Sequence, residues 1–446
     1  MTIRASYFLA VVPLIAIVMR LASTPTANIS YLIIAAYAMF GRVYAIQALT
    51  LSWLFSMLSP GIAAEATTAT VGRYVVLFAA AISVLLRSGL LQKKMYITWP
   101  VLSTGFLGLF LIGHSVLFSP MSDVSMLKAL SWLLAMTTLL AAWGGLSYDE
   151  REQLVGQIFR GLVLLMLLSL PLLNLPVGYL RNGTGFQGLM NHPQAFGPTM
   201  ALLGAWSAGR MFALPKPPWK SIALVATCLM LVVLSEARTA GLAMVLGITV
   251  AVVLAPGLSG RSIRSLLPGL ASRRFHLVIA VAVACSLVVG PILVERLGNY
   301  IVKRGHAQSL VEAYDTSRGR LIQEMWANVE KNPLEGIGFG IASDPYEMVV
   351  VRDPILNLPT GASIEKGVVP LAVLEELGVF GFTLFVLWIW MLLRRGARNG
   401  VSHLAVISTL LLINMGESTL FSPGGLGLLL MILLAWASTS NQKVGN

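Results

Sequence analysis

Four arginines could bind an anion, because they stand in polar segments apart from the basic loops that flank most apolar runs. They are Arg181 in LRNGTG, Arg238 in LSEARTAG, and Arg318 and Arg320 in SRGR. A guanidinium group stays charged at physiological pH and holds phosphate oxygens in a planar fork. Several guanidinium groups around one cavity would therefore suit a diphosphate.

Arg238 is the clearest of these candidates, because a very short turn separates two apolar runs at this point. A charge at or just below a membrane interface is costly unless it is paired or functional. Two interpretations stay open: an anion-binding role, or a structural role in which the side chain snorkels to water or pairs with Glu236. For Arg318 and Arg320 the structural alternative is a solvated helix face.

Five side chains could act as an acid, a base or a polar substrate contact: Glu365, His192, His306, Glu375 and Glu376. Burial raises the proton affinity of a carboxylate, and a neighbouring cation lowers it again. Glu365 and Lys366 stand just before an apolar run, so both are predicted to line the mouth of a cavity. The structural alternatives are that Glu365 caps a helix and that His192, before Pro193, satisfies a turn.

The composition excludes a water-soluble fold. Of the 446 residues, 57% are hydrophobic and 11% charged, at a mean hydropathy of +0.80, so a bilayer must supply the surroundings of the surface. The net charge of +12 comes mostly from short basic loops beside apolar runs, which is a topology signal and predicts no nucleic-acid partner. Cys228 and Cys285 both lie in apolar runs, so neither a disulfide framework nor a metal site is predicted. No cofactor is expected.

We therefore predict an all-α polytopic membrane protein of about 12 to 14 transmembrane helices, each near 20 residues, in one domain over 1–446. The basic loops fall on one side, which predicts cytoplasmic termini and a periplasmic active face. The predicted spans are 5–20, 29–40, 43–58, 71–87, 99–118, 125–143, 155–175, 194–211, 219–235, 239–257, 276–296, 368–392, 401–417 and 425–439.

The segment 297–367 is predicted to be one long helical loop on the periplasmic side. In DTSRGRLIQEMWANVEKNP the apolar Leu321, Met325, Trp326 and Val329 recur at helical spacing, which predicts an amphipathic helix along the membrane surface. Thr316 or Ser317 could cap this helix, and Pro333 follows its end. GIGFG at 336–340 has no strand before it, so a glycine turn is favoured over a nucleotide site.

The order of these segments resembles the O-antigen ligase and polymerase superfamily. The resemblance covers about residues 176–395 and consists of NHPQAFG after Arg181, LSEARTAG opening a span, SRGRLIQEMWANVEKNPLEGIGFG in a long loop, and EKGVVPLAVLEELGVFG entering a span. It implies a metal-independent, inverting glycosyltransferase of the membrane-embedded GT-C-like type in the bacterial inner membrane. Its substrates would be oligosaccharides carried on undecaprenyl diphosphate.

The resemblance implies that Arg181, Arg238 and Arg320 hold the donor diphosphate as an acceptor hydroxyl attacks the anomeric carbon. His192, His306, Arg318 and Lys366 complete the expected substrate contacts. Electrostatic stabilisation of the leaving diphosphate could do the work of a metal.

One departure favours a polymerase of exopolysaccharide or O-antigen repeats over a ligase acting on the lipid A-core of lipopolysaccharide or on another terminal acceptor. Ligases of this superfamily carry a histidine near the end of the long loop, where this chain reads GASIEKG. Glu365 is the nearest chemical substitute. A flippase for the lipid-linked oligosaccharide is the alternative from another class, although such transporters tend to place charges near the bilayer midplane. A flippase and a chain-length regulator are also conceivable partners.

Overall fold

Long apolar helices dominate the protein. The computed structural model describes residues 3–89, 98–280, 319–352, 357, 359–362 and 366–439. Six helices in this part of the chain are long and apolar enough to cross a bilayer, and four shorter apolar helices accompany them. Helix accounts for 75% of the structure, and the described sheet has two short strands. The prediction of an all-α membrane protein is confirmed.

The helices follow the apolar runs closely. Those before the long loop are α1 (Ile3–Ala22), α2 (Thr24–Ala38), α3 (Arg42–Met57), α4 (Ala69–Leu86), α5 (Trp99–Phe118), α6 (Ser122–Gly144), α7 (Tyr148–Ser169), α8 (Pro193–Ala213), α9 (Trp219–Leu234), α10 (Arg238–Ser259) and α11 (Ile263–Leu266). Those after it are α12 (Arg320–Lys331), α13 (Val369–Asn399), α14 (Val401–Ile413) and α15 (Leu426–Ser438), with strands β1 (Val350–Arg352) and β2 (Pro359–Ala362) between α12 and α13. Most of the predicted span 276–296 and the loop up to 318 lie outside the described residues.

Local sequence sets several of the helix ends. At the start of α7, Ser147 Oγ accepts a hydrogen bond from the backbone N–H of Glu150, and Glu150 Oε2 accepts one from the backbone N–H of Ser147, at 3.4 and 2.8 Å. This reciprocal pair satisfies two backbone donors that the helix itself leaves without partners. At the end of α10, Gly260 adopts φ 68°, the left-handed conformation that commonly terminates a helix.

Hydrogen bonds between connections gather the helix ends into two groups. At one end, Arg42 donates to the carbonyl of Gly145 at 2.8 Å and to that of Arg87, which joins three connections. At the other end, the backbone N–H of Asn191 donates to the carbonyl of Met57 at 2.8 Å. We call this second group the loop end; it comprises 58–68, 119–121, 170–192, 235–237, 332–352, 366–368 and 414–425.

The amphipathic helix predicted in the long loop is confirmed as α12. Met325 and Val329 are buried, whereas Trp326 is 51% exposed. The buried side packs on α13, and Pro333 follows the last helical residue by two positions. The caps proposed for this helix, Thr316 and Ser317, lie outside the described residues.

The segment after α12 packs against a break in α13 at Gly378. Gly378 has φ 62° and ψ −172°, a backbone conformation that is essentially restricted to glycine. A Cβ atom at this position would lie 2.0 Å from the carbonyl oxygen of Leu334. The backbone N–H of Val379 donates to the carbonyl of Pro333 at 2.9 Å, so the break exposes helix backbone groups to which the loop binds.

The geometry at Gly378 predicts that Gly378→Ala lowers the melting temperature of the detergent-purified protein. The free energy of unfolding should fall by about 2 kcal/mol or more, because the added methyl group meets a backbone oxygen and alanine is strained at this φ and ψ. Gly113→Ala in α5 is the matched control, since a Cβ atom there meets nothing within 4 Å. Equal melting temperatures for the two variants would contradict this account of the break.

Candidate functional site

Arg238 opens α10 beside a strained turn. Glu236 has φ 55°, which is uncommon for a residue with a side chain, and the backbone N–H of Arg238 donates to its carbonyl at 3.0 Å. The carboxylate of Glu236 accepts a hydrogen bond from the backbone N–H of Gly185 at 3.4 Å. The half-buried Arg238 side chain therefore begins next to the 181–185 segment.

Arg181 lies on that neighbouring segment and is exposed. Asn182 Oδ1 accepts hydrogen bonds from the backbone N–H and the hydroxyl of Thr184, at 3.1 and 2.8 Å, and so closes a tight turn. Two residues further on, the backbone N–H of Phe186 donates to the carbonyl of Leu234 at 2.9 Å. The Arg181 turn is thus anchored to the connection that precedes Arg238.

His192 has a structural role that the sequence left open. It is the N-cap of α8, and its Nδ1 accepts a hydrogen bond from the backbone N–H of Gln194 at 3.1 Å. The residue is exposed. The backbone N–H of the preceding residue, Asn191, donates to the carbonyl of Met57. A substrate contact through the other ring nitrogen stays a prediction.

The start of α10 is connected to the start of α13 through the turn after α14. A Cβ atom on Gly416 would lie 2.4 Å from Thr239 Cγ2, so the turn packs directly against α10. In the same turn, the carbonyl of Asn414 accepts a hydrogen bond from the backbone N–H of Val369 at 3.0 Å. Arg238 and Lys366 therefore belong to one continuous layer at the loop end.

A buried ion triad occupies the start of α13. Lys366 Nζ lies 2.7 Å from Glu375 Oε2 and 3.1 Å from Glu376 Oε1, and the three side chains are 0%, 0% and 7% exposed. Asn328 of α12 donates from Nδ2 to Glu375 Oε1 at 2.7 Å. Such charges are stable away from water only when paired and hydrogen-bonded, so the triad ties α12 and the 366–368 segment to α13.

The glycine turn predicted at 336–340 is confirmed, and it completes the triad. Gly336, Gly338 and Gly340 all have positive φ. The backbone N–H of Gly340 donates to Glu376 Oε2 at 2.6 Å, and that of Gly338 donates to the carbonyl of Glu376 at 3.0 Å. The GIGFG motif therefore binds a carboxylate and a broken helix of the same chain.

The remaining predicted site residues fall into three groups: an exposed arginine, residues outside the described part of the chain, and the members of the buried triad. Arg320 is exposed on the first turn of α12 and pairs with Glu324 at 3.1 Å. Glu365, Arg318 and His306 lie outside the described residues, so their proposed roles stay predictions. Lys366 has an ammonium that is enclosed by two carboxylates, and Glu375 and Glu376 are likewise engaged with it.

Sequence reasoning missed two cations at the loop end. Lys128 lies in the second turn of α6, and Arg73 lies in the second turn of α4. Both stand inside apolar runs, on the side opposite to the basic connections. One sequence signal could have identified them. Each is a basic residue one or two turns inside an apolar span, at the end of the span that lacks a basic loop.

The assembled layer can do two things chemically. Arg181 and Arg238, held on adjacent connections, present guanidinium groups suited to phosphate oxygens. The triad fixes Lys366 at the start of α13 and keeps its three charges buried.

No family model matches the chain, and no curated protein matches it.

Breaking the triad is expected to destabilise the protein strongly. Lys366→Met leaves two buried carboxylates without their cation, which should cost about 3 to 5 kcal/mol. The double variant Lys366→Met with Glu375→Gln should lose less stability than the two single variants lose in sum, because the second substitution removes one of the stranded charges. Thermal unfolding in detergent measures both effects.

The control for this cycle is Glu324→Gln, which removes an exposed ion pair and should cost less than about 1 kcal/mol. If Lys366→Met costs no more than Glu324→Gln, the triad does not hold the loop end together.

Proposed function

We propose that the protein is a polysaccharide polymerase of the bacterial inner membrane. It would transfer a growing glycan from undecaprenyl diphosphate to the next lipid-linked repeat unit. The observation that carries this proposal is the placement of Arg181 and Arg238 on adjacent connections at the end of the molecule opposite to the basic loops. Each guanidinium group suits the oxygens of a phosphate, and a lipid-borne diphosphate would bring two phosphate groups to this end of the molecule.

The proposed reaction needs one nucleophilic substitution. An acceptor hydroxyl oxygen forms a bond to the anomeric carbon of the donor, and the bond from that carbon to the diphosphate oxygen breaks. The configuration at the anomeric carbon inverts, and the electron pair leaves with undecaprenyl diphosphate. Glu365 takes the hydroxyl proton or orients the hydroxyl, while Arg238, Arg181 and Arg320 stabilise the charge on the departing diphosphate.

The proposal fixes an orientation in the bilayer. The loop end and the long loop 297–367 face the periplasm, and the basic connections and both termini face the cytoplasm. The full chain contains about 12 to 14 spans in a GT-C-like arrangement. The polyprenyl tails enter laterally between helices, and the sugars occupy a cavity beneath the loop 297–367.

Removal of Arg238 should abolish most of the transfer. Purified protein supplied with lipid-linked repeat units should make longer chains, and Arg238→Ala should slow elongation about 100-fold, because one charge-stabilising donor is lost from the transition state. Glu365→Ala should also reduce elongation. The length distribution of the products on a gel is the measurement.

Two matched controls accompany these variants. Arg264→Ala removes an exposed arginine from a basic connection at the opposite end, and Lys331→Ala removes an exposed lysine at the end of α12; both should elongate normally. If Arg238→Ala and Glu365→Ala leave chain length intact, the assigned roles are wrong.

A deletion strain distinguishes a polymerase from a ligase. Without a polymerase, cells are expected to retain single repeat units transferred to the final acceptor, because ligation still proceeds. Without a ligase, they would accumulate long lipid-linked polymer. The saccharide profile of the strain, compared with that of a strain complemented with the intact chain, decides between the two.

A further inference from the structure

A polar cavity lies at the loop end, apart from the arginines of the proposed reaction. Its volume is about 230 Å³, and it is bounded by α4, α6, β2 and the 418–423 segment. Hydroxyl groups of Tyr74, Ser131, Ser418 and Ser422 belong to residues that line it, together with Lys128. The lining is therefore rich in hydrogen-bonding groups around one cation.

Lys128 is a cation with no acidic side chain in contact. Its Nζ lies 5.3 Å from the ring centroid of Phe339, and no carboxylate of the described chain forms an ion pair with it. A Cβ atom on Gly340 would lie 2.9 Å from Lys128 Nζ, and the backbone N–H of Gly340 donates to the carboxylate of Glu376. That carboxylate is already bound by Lys366 and by the backbone of Gly340, so Lys128 retains the capacity to bind an anion in the cavity.

A second cation borders the same segment. A Cβ atom on Gly424 would lie 2.4 Å from Arg73 Nη1, and Gly424 follows Pro423, which lines the cavity. Arg73 thus adds a second positive charge beside the segment that borders the cavity. This side of the loop end therefore favours a ligand with a negative charge.

The size of the cavity limits that ligand. Sites for drug-sized molecules measure roughly 300 to 1,000 Å³, so about 230 Å³ admits one small ring and excludes a complete lipid-linked diphosphate. Serine and tyrosine hydroxyls both donate and accept hydrogen bonds, as the hydroxyl groups of a sugar require.

We propose that this cavity binds a carboxylate-bearing sugar, a hexuronate unit of the glycan, with its carboxylate on Lys128. The proposal rests on the proposed function, because it gives the polymerase a preference for acidic repeat units. The hydroxyls of Ser131, Ser418 and Ser422 bind the ring hydroxyls, and Phe339 holds the ammonium from the opposite side. A phosphate fits less well, because it carries nearly two charges close to Glu376.

Binding of D-glucuronate to the full-length protein in detergent tests this site directly. The dissociation constant of D-glucuronate, measured by saturation-transfer NMR, should be at least tenfold lower than that of D-glucose, as expected for a charge-assisted contact. Lys128→Met should weaken D-glucuronate binding at least tenfold, whereas Lys128→Arg should retain it. Lys331→Met, which removes an exposed lysine at the same end, should change nothing.

Equal binding of glucose and glucuronate overturns the proposal, as does unchanged binding by Lys128→Met. A phosphate site is indicated instead if inorganic phosphate binds more tightly than glucuronate. Displacement of glucuronate by a phosphate concentration below the dissociation constant of glucuronate would show this and would overturn the proposal. The comparison of the three probes on the unaltered protein decides the matter even if Lys128→Met does not fold. A protein that binds glucuronate through Lys128 but elongates no chain contradicts the proposed function alone.

Discussion

The ion triad of Lys366, Glu375 and Glu376 is the interaction on which the loop end depends. An isolated charge buried in a low-dielectric interior is strongly unfavourable. Here one ammonium faces two carboxylates at 2.7 and 3.1 Å, and the remaining carboxylate oxygens accept hydrogen bonds from Asn328 and Gly340. These groups come from α12, the glycine turn, the 366–368 segment and α13, so removing Lys366, their shared cation, leaves two buried carboxylates that nothing else neutralises.

A break in α13 next to the triad lets the glycine turn bind the same two residues through their backbone. The left-handed residue Gly378 frees the carbonyls of Glu375 and Glu376, and the backbone N–H groups of Ile337 and Gly338 bind them at 2.9 and 3.0 Å. The segment that carries α12 is thereby fixed on the helix. In the proposed function this rigidity matters, because phosphate-binding and catalytic groups act only when they are held in place before the substrate arrives.

Much of this architecture could be predicted from the chain. The apolar run 99–118 coincides with Trp99–Phe118, and 71–87 with Ala69–Leu86, because bilayer thickness sets the length of a span. The amphipathic pattern of α12 and the glycine turn at 336–340 could also be predicted from the sequence. The pairing of Lys366 with Glu375 and Glu376 could not be predicted, because it depends on how the 366–368 segment folds back on the first turns of α13. Lys128 was missed because its significance depends on a cavity built by distant segments.

Hydrogen exchange of the glycine turn tests the central role of the triad most directly. The amides of Ile337, Gly338 and Gly340 should be protected in the intact protein, since they donate to Glu375 and Glu376. In the Lys366→Met protein the same amides should exchange far faster, while those of α5 keep their protection. Unchanged protection of the turn in that variant would contradict the claim that the buried ions hold the loop end on α13.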